Sequence, residues 1–331
     1  VHKYEAGVFF SAYAAFQDYD NLTIHDVAMG DKFRYELGNF SVFNSPVFRA
    51  NEFLNYCMFF RGDVSPAKKR VEFRYTGAIS SASVGTRFEK EKASFMTGFG
   101  ISFPEAERVS AGSLKNPDGT AVSPAKVSAD AVYTPENLPE DVSAFAADLR
   151  ERGVLPKYNR SNPEKGIFVS DTGEIEMRMY EGFVKVSTPK TEAVASRGIK
   201  TPVKLGAFTV KSVDVPCAVA ACSMDGKKLS ESSSVVLVLN TDNVSTDFKI
   251  TAKKRALRSG GKQPVRLRVC RLSAELEIAD AEKFDLYALA LSGERLEKLP
   301  VAAENGVLKI DIDTAKLANG ATVFFELAKR R

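Results

Sequence analysis

The chain has 331 residues, 44% hydrophobic and 27% charged, with 46 Lys and Arg against 42 Asp and Glu for a formal net charge of +4. That length exceeds a single compact core and predicts two or more structural units. The interleaved charges give no reason to expect a nucleic acid or an anionic membrane as partner, and no run approaches the ~18 apolar residues of a membrane span.

Read from its start, the chain opens on Val1 with no secretory signal, which reads as a processed product or a piece of something longer. Residues 5–18 (EAGVFFSAYAAFQD) place Val8, Phe9, Ala12 and Phe16 on one helical face. After the turn pair Asp20-Asn21, residues 22–28 (LTIHDVA) are short and β-branched and read as a buried strand. A second helix is marked by Ser45 as N-cap and Pro46 at the first helical position. Its apolar stripe is Val47, Ala50, Leu54, Cys57 and Met58, and Gly62 after Arg61 is its stop. The run through Val71 and Phe73 reads as a strand leaving this unit.

Residues 76–138 are rich in Ser and Gly, carry a strong turn at 116–120 (NPDGT), and hold an aromatic, Gly-spaced stretch at 95–103 (FMTGFGISF) expected to be irregular. A third helix is predicted over 139–152, with Val142, Phe145 and Leu149 on one face and Gly153 beyond its end. From Gly166 the period changes to two. Turns at Asp171-Thr172-Gly173 and Glu181-Gly182 divide three strands, with Ile175, Met177 and Met179 alternating against charges. Further strand-like runs are predicted at 206–211, 217–223, 234–239, 246–252, 264–271, 284–291, 307–312 and 322–327. Many short strands with frequent turns and no long helix between them predict a two-sheet antiparallel β-sandwich.

The residues available for chemistry are few. Cys57, Cys217, Cys222 and Cys270 are too scattered for a disulfide framework and read as buried thiols. Cys217 and Cys222, five apart in a β-like run, point to opposite faces, which argues against a shared metal. His2 and His25 are the only histidines, so no zinc site of ordinary spacing can be assembled, and neither metal nor cofactor is expected. The basic clusters Lys68-Lys69-Arg70 and Lys253-Lys254-Arg255 read as solvated strand ends. No nucleophile triad or phosphate-binding glycine loop is present to indicate another enzyme class.

Two stretches carry a resemblance. AYAAFQDYDNLTIHDVA near the start, followed by NSPVFRANEFLNYCMFFRGDVSPA, resembles the last βα unit of large bacterial TIM-barrel glycoside hydrolases of the cellulase and β-galactosidase type. There, a helix ending in a Gln-Asp-aromatic-Asp run precedes the eighth barrel strand. The final helix closes on an Arg-Gly-Asp-Val turn, here Arg61 to Val64. Residues 169–194 (VSDTGEIEMRMYEGFVKVSTPKTEAV) are similar to the opening of the β-sandwich that follows the barrel, and GERLEKLP and TVFFEL are similar to its ending.

The resemblance implies a mainly β chain with an α/β N-terminal part, the end of a (β/α)8 barrel followed by an antiparallel β-sandwich. Residues 1–75 are then the last strand and helices of the barrel, 76–138 an irregular connecting segment, and 139–331 the β-sandwich domain. It implies a retaining glycosidase acting on a polysaccharide or oligosaccharide, whose acid/base and nucleophile carboxylates sit ~5–5.5 Å apart. Both lie on strands upstream of Val1, so no catalytic residue is assigned within this chain. It further implies completion by an upstream barrel polypeptide or another chain, and a secreted or periplasmic location.

At the end of the implied eighth strand, on the face where barrel active sites lie, His25 and Asp26 are the candidate substrate-binding residues. Asp26 is placed to bind a sugar hydroxyl and His25 to donate to one. The same pair reads more readily still as a buried, hydrogen-bonded histidine and a turn-capping aspartate. Asp18 and Asp20, at the opposite end of the strand, read as turn residues. The family places a tryptophan near this strand to stack on sugar, and this chain has none. Two other classes stay open: a non-catalytic β-sandwich binding or adhesion protein, and an accessory subunit supporting another chain's barrel.

Overall fold

The computed structural model describes residues 3–23, 45–75, 90–103, 128–251 and 257–330. The described residues fall into two compact units, each treated by itself.

The smaller unit takes in Phe16–Asp18 and Ser65–Met179. Its strand β1 (Arg70–Arg74) lies between β2 (Gly98–Ser102) and β3 (Ala131–Tyr133), parallel to both. The stretch expected to be irregular at 95–103 therefore supplies an ordered strand. The reason is backbone approach, since a Cβ on Gly98 would sit 2.8 Å from the Lys69 carbonyl, so the glycine that looks like a breaker is what lets β2 dock. Phe73 of β1 packs on Phe99, Tyr133 and Phe145, with ring centroids 5.1–5.7 Å apart. Phe145 lies on the helix Val142–Glu151, whose first turn is capped by Asp141 accepting from Ser143 N and Ala144 N at 2.8 Å each. The hairpin β4 (Ile167–Val169) and β5 (Ile175–Arg178) buries Ile175 and Met177. Met179 is half-buried, in a 3-10 turn rather than on the strand.

The larger unit takes in Val1–Ala15, Tyr19–Val64 and Tyr180–Arg331. Its strands begin with β6 (Phe183–Ser187), β7 (Thr191–Ser196), β8 (Val203–Lys204), β9 (Phe208–Val213), β10 (Cys217–Ser223) and β11 (Ser234–Asn240). The short strands β12 (Asn243–Thr246), β13 (Lys249–Ile250), β14 (Leu257–Ser259) and β15 (Lys262–Leu267) follow. The unit closes with β16 (Arg271–Glu277), β17 (Phe284–Leu289), β18 (Arg295–Leu299), β19 (Ala302–Glu304), β20 (Val307–Asp313) and β21 (Phe324–Lys329).

One antiparallel sheet runs β18-β17-β21-β11-β10-β7-β6, and a second runs β19-β20-β16-β9-β8. Both feed one core. Val194, Val219, Leu237, Leu286 and Phe325 come from the first sheet, and Phe208, Val210, Leu272, Leu276 and Ile310 from the second. The architecture is mainly β and consistent with a β-sandwich, as the period-two pattern predicts. Two runs were displaced. The strand expected at 264–271 is split between β15 and β16 with a break at Arg268–Cys270, and the one expected at 246–252 is divided between β12 and β13.

Helices α1 (Ala6–Phe16) and α2 (Pro46–Asn55) stand where the apolar stripes place them, and a helix Val142–Glu151 is α3. Ser45 caps α2 by accepting from Phe48 N, with Pro46 at the first turn. The two helices of the larger unit approach so closely that a Cβ on Gly7 would lie 2.7 Å from the Asn51 Cα. Gly7 N donates to Asn51 Oδ1 at 3.1 Å, and Asn240 Nδ2 of β11 donates to the same oxygen at 2.9 Å. The strand expected at 22–28 lies outside the described residues from Ile24 onward.

Candidate functional site

The two sequence motifs behind the resemblance are fixed by hydrogen bonds. Gln17, from the Gln-Asp-aromatic-Asp run, is buried. Its Nε2 donates to Ser94 O and Thr97 O at 2.7 and 2.8 Å, and its Oε1 accepts from Phe99 N at 2.9 Å. Asp18, which follows it, has a positive φ of 56° and is exposed, in keeping with a turn residue.

The Arg-Gly-Asp-Val turn follows α2 through a π-helical turn, Tyr56–Phe60, closed by Arg61 N donating to Tyr56 O at 2.7 Å. Gly62, with φ +69°, reverses the chain. Arg61 then donates from Nε to Asp63 Oδ1 at 3.0 Å and from Nη2 to Asp63 Oδ2 at 2.5 Å, a bidentate pair. The same guanidinium reaches Ser223 O of β10 through Nη1 at 2.8 Å, and Thr191 Oγ1 of β7 at 3.3 Å. Thr191 Oγ1 donates in turn to Asp63 Oδ2 at 2.7 Å. The Asp63 side chain has no solvent exposure and that of Arg61 has 17%. Beside this turn, the Cys57 and Cys222 thiols hydrogen-bond, which draws Cys57 down and pushes Cys222 up. Cys217 faces the core between the sheets instead, so the two cysteines of β10 do point apart.

His25 and Asp26, the candidate substrate-binding pair, lie outside the described residues. The acids that are buried in the described residues are each committed. Asp171 accepts from Lys68 N, Lys69 N and Thr97 Oγ1, although burial pushes its carboxyl up. Glu192 accepts from Ala207 N and Phe208 N at 2.9 and 2.7 Å, and burial raises it as well. Glu176 is held by Arg160 and Arg178. Asp285 is held by Lys298 at 3.0 Å, which with Tyr287 and Arg330 keeps it below the usual carboxylate range.

Asp285 lines a shallow cleft of about 390 Å³ with Phe284, Lys298, Leu299, Val301 and Arg330. Its charges neutralise one another, and Arg330 Nη2 is spent on Glu282 O at 2.5 Å. Nothing in this cleft is poised as a proton donor or nucleophile. No family model, curated protein or solved structure matches the chain. In the sequence the Arg61 turn reads as a helix stop and as the Arg-Gly-Asp-Val motif of the resemblance. Its ionic anchorage depends on Thr191 and Ser223, residues 130 and 162 positions away, which no local pattern reveals.

Proposed function

We propose that this chain is the C-terminal portion of a retaining glycoside hydrolase, carrying the last helices of a (β/α)8 barrel and the β-sandwich that follows it. The observation that carries this reading is the Arg61–Val64 turn. In an enzyme of this plan the end of the last barrel helix is where the sandwich must be joined, and here that turn is bonded to two adjacent strands through Arg61 and Asp63. The apolar character of α1 fits the same plan. Phe10 is 58% exposed on a helix otherwise almost wholly buried, the pattern of a helix with packing partners on more than one side.

On this reading the acid/base and nucleophile lie upstream, and the committed acids of the described residues serve structure. His25 and Asp26 remain the proposed contacts to a sugar hydroxyl. The test compares purified chain with the same chain extended by its upstream coding sequence, across a panel of aryl glycosides. The chain alone is expected to give no turnover and the extended protein to give it. Turnover by the chain alone, abolished by a single Asp or Glu substitution within it, would overturn the proposal. So would an upstream sequence without the strand–helix alternation of ~250 barrel residues.

A further inference from the structure

Charge in this chain is concentrated in one place. Residues 247–271 hold nine Lys or Arg and a single acid, Asp247, for a net +8, twice the +4 of the whole chain, so the remainder is net negative. Six of the nine, Lys249, Arg258, Lys262, Arg266, Arg268 and Arg271, are among the described residues.

Lys249, Arg258, Lys262 and Arg266 sit on two small two-stranded ribbons, β12 with β15 and β13 with β14, which lie outside both main sheets; Arg268 follows β15 directly and Arg271 opens β16. On β15, Val265 and Leu267 are half-buried while Arg266 is exposed, and Arg268, one residue past the strand's end, is exposed as well. The backbone beneath is fixed: Arg268 N donates to Asp242 O at 2.8 Å, and Arg268 O accepts from Thr241 Oγ1 at 2.8 Å. Lys262 pairs with Asp247 and Arg271 with Asp313, both exposed. Lys249, Arg258, Arg266 and Arg268 make no ion pair among the described residues. Clustered like charge on a fixed ribbon is an unfavourable arrangement unless a counter-charge settles on it.

We propose that this basic segment, the two ribbons with the residues that follow β15, binds a linear anionic polysaccharide, one bearing sulfate or carboxylate groups, through Arg258, Arg266 and Arg268. The choice of a glycan rests on the glycoside hydrolase reading, and it gives that reading a substrate class. It also resolves how a chain without tryptophan holds a glycan: through charge instead of ring stacking. A single-stranded nucleic acid fits less well, because Phe248 is the only aromatic residue in 243–271 on which a base could stack. A membrane surface fits less well too. Val244, Phe248, Ile250 and Val269 are each less than half exposed and are scattered along the ribbon.

The test is affinity electrophoresis of the full chain in gels containing dextran sulfate, polygalacturonate or neutral dextran. Duplex DNA and phosphatidylserine vesicles are run as competitors. One or both anionic polysaccharides are expected to retard the chain, and neutral dextran to leave it unretarded. The affinity should fall at least ~10-fold between 50 and 200 mM salt. The triple variant Arg258→Gln, Arg266→Gln, Arg268→Gln should lose at least ~10-fold with an unchanged circular dichroism spectrum, while Arg266→Lys with Arg268→Lys should keep binding. Undiminished retardation of the Gln variant, no retardation by either anionic polymer, or stronger binding of DNA or vesicles would overturn the proposal. Because retardation does not depend on hydrolysis, an extended protein that cleaves nothing while the ribbon still binds would sink the enzyme reading alone.

Discussion

Arg61→Ala isolates the contribution of the turn that ties α2 to the sheet. The substitution removes two charge-assisted bonds to Asp63 and one each to Ser223 O and Thr191 Oγ1, and leaves a carboxylate with no solvent exposure facing the Thr191 hydroxyl. Breaking a buried ion pair by deleting one partner costs ~3–5 kcal/mol, and the 17% exposure of Arg61 places this case toward the lower end. For a unit of this size each kcal/mol shifts Tm by about 2–4 °C, so a fall of about 6–14 °C is expected. Removing both charges should cost less than twice either one, because the double variant Arg61→Ala, Asp63→Ala strands no buried charge. The chain contains no Trp, so thermal and urea unfolding are best followed by far-UV circular dichroism. A Tm within 2 °C of the parent for Arg61→Ala, or strict additivity in the double variant, would show that the pair contributes little and that the helix is held by packing alone.

Gly7→Ala should destabilise even though alanine is the better helix former by ~0.5–1 kcal/mol, because its Cβ meets the Asn51 Cα at 2.7 Å; a net loss of about 1–2 kcal/mol in urea unfolding is expected. Asp141→Ala should cost ~1 kcal/mol by exposing the capped N–H groups of Ser143 and Ala144, read as faster amide exchange in the first turn of α3. At Asp225, burial pushes the carboxyl up, but the Ser233 N–H and the hydroxyls of Ser233, Ser232 and Ser223 outweigh it and hold it well below the usual range. A depressed folded value means stability that is present above the unfolded value of ~3.9 and lost as pH falls below it. Asp225→Asn should therefore cost ~0.5–1 kcal/mol at pH 7, discounted for exposure, with the gap to the parent narrowing below about pH 4.

How much was legible in the sequence follows from how local each signal is. Helix α2 was readable because Ser45, Pro46 and the stripe from Val47 to Leu54 all sit within one short window. Strand β10 was readable from Cys217 to Ser223 because a short apolar run between turn residues suits a doubly covered strand. Strand β7 was not: Thr191, Glu192 and Ser196 look like loop residues, yet all six positions are buried. Its polar groups find partners far away, as when Glu192 takes the N–H groups of Ala207 and Phe208. β2 was lost to its glycines, whose purpose is visible only once Lys69 stands against Gly98. The site pair His25 and Asp26 was drawn from resemblance and falls outside the described residues. Of the basic segment 247–271 the sequence shows the cluster Lys253 to Arg255, which reads as a solvated strand end and lies outside the described residues.

The partners of Arg61 also set an order of events during synthesis. Ser223 follows Arg61 by 162 residues, so at ~5–20 residues per second about 8–32 s pass before the second strand of the anchor leaves the ribosome. Through that interval α2 and its turn are without β7 and β10, the strands that hold Arg61 and Asp63. A nascent chain in that interval lacks the strands that anchor the turn, so the yield in cells should depend on holdase chaperones and on translation speed across residues 65–223.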